Sequence, residues 1–104
     1  MNRARICVSD VALNDILEQS DWYEHRSGEG LARRWAKEVT SALIRIEKNP
    51  RSGAKCSFTA DELQDIRRMP IAGFPKHLIL YHADDSEILI LRVVHGARDL
   101  ESLF

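Results

Sequence analysis

A chain of 104 residues sits near the commonest domain size and leaves no room for a second core, so residues 1–104 are expected to form one domain. With 44% hydrophobic and 30% charged residues, the composition is that of a folded globule rather than a disordered segment. Fifteen Lys and Arg against sixteen Asp and Glu give a formal net charge of −1, which excludes a global field drawing the protein onto nucleic acid or a membrane.

The first residues, Met1 to Asp10, lack the apolar stretch of a secretory signal, and no later apolar run approaches the length of a membrane span. A cytoplasmic protein without a membrane partner is expected. Cys7 and Cys56 are far apart and belong to no CxxC pair, so they suggest idle thiols rather than a zinc knuckle or a disulfide framework.

In chain order, the β-prone run Ile6-Cys7-Val8 predicts a strand, and Ser9-Asp10 supply N-cap candidates for a helix after it. From Val11 to about His25, the residues Ala12, Leu13, Ile16, Leu17 and Tyr23 recur at helical steps and predict one apolar stripe. Ser27-Gly28-Glu29-Gly30 interrupts it. A second helix follows, with Leu31, Trp35, Val39, Ala42, Leu43 and Ile46 on one face and an end at Asn49-Pro50. Two amphipathic helices joined by a short loop predict a hairpin whose apolar side needs another surface.

That surface is expected from three strands over 63–69, 77–82 and 87–94, with Pro70, Gly73 and Pro75 punctuating the first gap and Asp84-Asp85-Ser86 the second. Ile88 to Leu91 are apolar at both parities, as a strand covered on both faces requires. The predicted fold class is α+β: an N-terminal strand, an α-helical hairpin packed on an antiparallel meander, and a short C-terminal tail or helix.

The sequence offers no metal cluster. His77 and His82 are five apart on one strand and face opposite sides, and His25 stands alone. Gly28-x-Gly30 lacks the further glycine and lysine of a nucleotide loop, and no serine sits in a recognisable triad context. No cofactor is expected. Among the aromatics, Trp35 lies on the apolar stripe and reads as core, while Trp22, beside Asp21 and off the stripe, is the better anchor for a partner's helix, with Tyr23 next to it.

Tyr23-Glu24-His25-Arg26, Gly30-Leu31-Ala32, Ile46-Glu47-Lys48-Asn49-Pro50, Arg67-Arg68, Gly73-Phe74-Pro75 and Arg92-Val93-Val94-His95-Gly96-Ala97-Arg98-Asp99 occur in an order and spacing that resembles the ParE-type toxins of the RelE/ParE superfamily, nearly end to end. The resemblance implies a plasmid-stabilisation-type toxin that is held inactive by a cognate antitoxin wrapping its surface. It also implies that the pair touches promoter DNA only indirectly, through the antitoxin. ParE-type members poison DNA gyrase, whereas RelE-type members cut messenger RNA on the ribosome.

Metal-independent RNA cleavage needs a proton acceptor, a proton donor and cations for the phosphorane; Arg67, Arg68, Arg92, His95 and Arg98 are the candidates. Two features count against that chemistry. The close Arg98-Asp99-Leu100-Glu101-Ser102-Leu103-Phe104 lacks the further Tyr or His carried by many RelE-type ribonucleases, and the net charge is not that of a protein docking on ribosomal RNA. Each candidate also has a structural reading: Arg92 paired to Asp65 or Asp99, His95 satisfying turn backbone, Arg98-Asp99 as a local ion pair, and one of Arg67 and Arg68 a solvated charge. The expectation is a gyrase-poisoning protein binder, with Trp22, Tyr23, Arg92, Arg98 and Asp99 as the antitoxin or target surface. A ribosome-dependent endoribonuclease is the alternative, and an inactive antitoxin-binding scaffold a second one.

Overall fold

Ser9 starts the first helix as the sequence suggests: its Oγ accepts the Ala12 N–H at 3.0 Å and donates to the Leu91 carbonyl at 3.1 Å, so one hydroxyl caps the helix and ties it to the sheet. The computed structural model describes residues 4–96 and 99–104. Strand β1 (Arg5–Val8) leads into α1 (Asp10–Ser27) and α2 (Glu29–Lys48). The predicted break between the helices narrows to Gly28, whose φ of 88° is left-handed and suits a residue without Cβ. Gly30 lies inside α2.

Four further strands follow: β2 (Ala54–Lys55), β3 (Arg67–Ile71), β4 (Phe74–Ala83) and β5 (Glu87–His95). The sheet order is β1-β5-β4-β3-β2. Strands β3, β4 and β5 form the expected antiparallel meander, and β1 joins it parallel to β5, pairing Arg5 with Glu87 and Val8 with Ile90. Short 3₁₀ turns occupy Asp61–Leu63 and Glu101–Leu103.

The predicted strand 63–69 is displaced to Arg67–Ile71, because 61–63 coil into the 3₁₀ turn and Pro70 lies within the strand instead of ending it. Pro70 is tolerated there because β2 pairs only with Arg67 and Arg68, so beyond them β3 is an edge strand on that side and is bonded only by β4. The Asp84 carboxylate closes the β4–β5 turn by accepting the N–H groups of Ser86 and Glu87, each at 2.8 Å. Those bonds hold it below the usual carboxylate range.

The helices cover one face of the sheet. Ala12, Trp35, Val39, Ala42 and Ile46 meet Ile71, Ile79, Tyr81, Ile88, Ile90 and Val93 in the main core. On the other face a smaller cluster of Cys56, Ile66, Leu80 and Val94 is packed by Phe58, Leu91, Leu100 and Leu103. Burial holds the Cys56 thiol above its ordinary value, and the cysteines form no disulfide. The C-terminal turn is fastened over this face by Glu101, whose carboxylate accepts the Thr59 and Ala60 N–H groups and the Thr59 hydroxyl. Strand β5 is therefore covered on both faces, as its double-parity apolar run demands.

Two side chains fasten the core. Trp35, fully buried, donates its Nε1–H to the Ile16 carbonyl at 3.0 Å and links α2 to α1. Tyr81, also fully buried, donates to the Pro50 carbonyl at 2.8 Å and accepts the Gly53 N–H at 2.9 Å, which ties the exit from α2 to the middle of the sheet. A Cβ on Gly53 would lie 2.5 Å from the Tyr81 hydroxyl and 2.7 Å from the Arg68 carbonyl, so this approach requires glycine. Tyr81→Phe should cost about 1–2 kcal/mol, since the Gly53 donor then loses its buried partner, and urea unfolding should read that loss with an unchanged m-value.

Candidate functional site

On the flank of α1 away from α2, an open cleft of about 800 Å³ separates the helix from the sheet. Asp15, Glu18, Gln19, Trp22 and Tyr23 form the helical wall; Gly73 to His77 and Arg92 to His95 form the other. Aromatic rings line its inner part. Tyr23 lies 5.7 Å from Trp35 and 5.3 Å from Phe74 between centroids, and His77 lies 4.9 Å from Trp35. Trp22 stands at the rim, 52% exposed, with the Arg26 guanidinium 4.9 Å over its ring.

One ion pair sets the position of the helical wall. Arg92 Nε and Nη2 donate to the two carboxylate oxygens of Asp15 at 2.8 and 3.0 Å, and the Val93 N–H donates to the same carboxylate at 3.0 Å. The partner of Arg92 is thus Asp15, not Asp65 or Asp99 as the sequence suggested. Asp65 approaches Lys55 instead, at 3.9 Å, and Asp99 is exposed. The Asp15 hydrogen bond raises the Arg92 pKa further and fixes its charge. The β4–β5 ladder shifts register at this point, from Tyr81↔Ile90 to Leu80↔Arg92, so Leu91 is the extra residue of a bulge beside Arg92.

The same shift sets His77 opposite His95, with ring centroids 5.6 Å apart. The sequence reading compared His77 with His82 and missed this pair. Burial is the main force lowering the His77 pKa, and the His95 charge adds to it. Among the described residues, no three His, Cys, Asp or Glu side chains gather as a metal site.

The remaining candidates do not converge on the cleft. Arg67 lines a separate hollow beyond α2, where its Nη1 donates to the Gly53 carbonyl at 2.7 Å. It pairs with Tyr81 of the main core, while Arg68 pairs with Leu80 of the opposite cluster, so the two arginines serve opposite faces as their adjacency implied. Arg98 lies outside the described residues. Trp22, Tyr23, Arg92 and His95 share the cleft.

The sequence matches the family described as "ParE toxin of type II toxin-antitoxin system, parDE" over residues 6–100. The chain belongs to the ParE toxin family. Among solved structures, the ParE toxin is similar to a chain of the "Chromosomal ParDE TA system from P. aeruginosa" at 15% identity and a TM-score of 0.74, covering 89% of this chain and 96% of that one. At that identity the likeness concerns the fold. Among curated proteins no relative matches. No helix among the described residues of the toxin is long and apolar enough to cross a membrane.

Two outcomes follow from the cleft. Asp15→Ala should destabilise this ParE toxin by about 2 kcal/mol because it strips charged hydrogen bonds from Arg92 and Val93. Thermal melts should show the double variant Asp15→Ala/Arg92→Ala losing less than the sum of the two singles. The second concerns pH. The folded His77 resists protonation, whereas the unfolded one takes a proton near the ordinary value of 6.5, so acid favours the unfolded chain. Stability should therefore fall as pH drops from about 7.5 to about 5.5, and His77→Phe should flatten that slope in melts across the range.

Proposed function

We propose that this ParE toxin is held by a cognate antitoxin segment seated in the α1–sheet cleft and that, once released, it poisons DNA gyrase by binding, with no covalent chemistry of its own. Such a target would place it in the cytoplasm, with promoter DNA reached only through the antitoxin. The gyrase target rests on the family; the choice of binding over cutting rests on Arg92. Its guanidinium is engaged in a two-point bond by Asp15, with Val93 adding a third hydrogen bond to that carboxylate. A cation committed in this way is poorly available to a developing phosphorane. Arg67 is similarly engaged by backbone carbonyls in a different hollow, so the cations an RNA-cleaving reading requires are dispersed.

The exposed Trp22 at the cleft rim, beside Tyr23 and Phe74, offers the rigid aromatic surface that dominates protein interfaces. Lys76 on one wall and Glu18 on the other allow a segment carrying both signs to be read along its length.

Added to purified gyrase, the protein should lower supercoiling and accumulate cleaved DNA, while transcripts in a ribosome-containing extract stay intact. Transcript cleavage that disappears with His95→Ala would instead establish the ribonuclease. Trp22→Ala should weaken antitoxin binding by about 2 kcal/mol in calorimetry without changing the melting temperature, and unchanged affinity would remove the cleft from the antitoxin site.

A further inference from the structure

The outward face of the helical hairpin, on the side of α1 away from the cleft, is apolar at one end and charged at the other. Leu13 and Leu17 on α1 are 48% and 55% exposed, and Ile44 on α2 is 47% exposed. Toward Gly28, the small residues Ser20, Ala32 and Ala36 border a shallow trough of about 260 Å³ between the helices. Three large aliphatic side chains left this open on neighbouring helices form a face that water solvates poorly.

The charges on the two helices indicate what covers it. Helix α1 carries five acidic residues against Arg26, of which Asp15 and Glu18 face the cleft, and α2 carries five basic residues against three acidic ones, with Arg34 over Phe74. The hairpin is thus acidic along one helix and basic along the other. The helices run antiparallel from Gly28, so residues equally distant from it lie at similar heights: Glu24 beside Arg33, Asp21 near Lys37, Leu17 by Thr40 and Leu13 by Ile44. A two-fold axis parallel to the helices sets α1 of one copy over α2 of the other and keeps those heights. Acid then meets base near Gly28, and leucine meets isoleucine at the far end. Asp21, Glu24 and Lys37 form no ion pair among the described residues, and Arg33 has only an exposed contact with Glu29 at 3.5 Å.

We infer that this face binds a second copy of the chain, packing α1 and α2 against α2 and α1 of the copy as a four-helix arrangement. The geometry is that of an antiparallel bundle with unlike charges flanking an aliphatic seam. Because α1 offers the cleft a different flank, Glu18 and Trp22 stay exposed in the pair.

The test uses the purified full chain, made in a cell-free system, and analytical ultracentrifugation. The wild type is expected to dimerise reversibly, and Leu17→Glu to be monomeric. The double variants Asp21→Lys/Glu24→Lys and Arg33→Glu/Lys37→Glu each set like charges against like, and each should weaken self-association about tenfold or more. Mixed together they should pair with one another, since the swapped charges complement again at both contacts. All these positions are on the outward face, and circular dichroism confirms that each variant is folded. A wild type that stays monomeric at its solubility limit overturns the inference, as do charge variants that self-associate like the wild type or fail to pair when mixed. So does a monomer whose Leu17→Glu form loses only antitoxin binding, which would give the face to the antitoxin.

Discussion

The two-point bond between Asp15 and Arg92 determines how the helical layer lies on the sheet. Ridges of aliphatic side chains would allow α1 to rotate or slide by a fraction of a turn with modest loss, because dispersion and burial are not directional. A fork of two charged hydrogen bonds, with the Val93 amide as a third, admits one geometry. It fixes the helix axis near the bulge of β5 and so the width of the cleft. It also commits the guanidinium of Arg92 to one carboxylate.

The bond also explains which face of α1 is buried. Spacing alone put Ala12, Leu13, Ile16, Leu17 and Tyr23 on one stripe. With Asp15 directed at the sheet, Ala12, Ile16 and Tyr23 turn inward while Leu13 and Leu17 turn out. A pattern of apolar residues could not reveal this, since the residue that orients the helix is acidic and its partner lies 77 positions away.

Much of the architecture was legible in the sequence because its signals are local. Ser9 as a cap, glycine between the helices, the period of α2 and the unbroken apolar run of β5 each specify an element through neighbours in the chain. What escaped depends on distant partners. Proline marks an end for a paired strand, but Pro70 lies beyond the reach of the two-residue β2. Counted outward from Ala83↔Ile88 without irregularity, His77 falls opposite Val94; the bulge advances it by one residue to His95. No composition rule announces a bulge, so the histidine pair in the cleft, like the Asp15 contact, emerges only from the assembled sheet. Trp22, by contrast, was readable as an exposed aromatic from its position off the stripe.

The parallel pairing of β1 with β5 makes neighbours of the first and last strands described. During synthesis, the helical hairpin leaves the ribosome with its contacts mostly local, well before β5, which supplies Arg92 and the far wall of the cleft. Contacts of such long sequence separation form slowly, since the loop must close before any of them is made. A nascent chain stopped short of β5 therefore has helices but no cleft, and the cleft comes into being only once β5 has been made and has paired with β1.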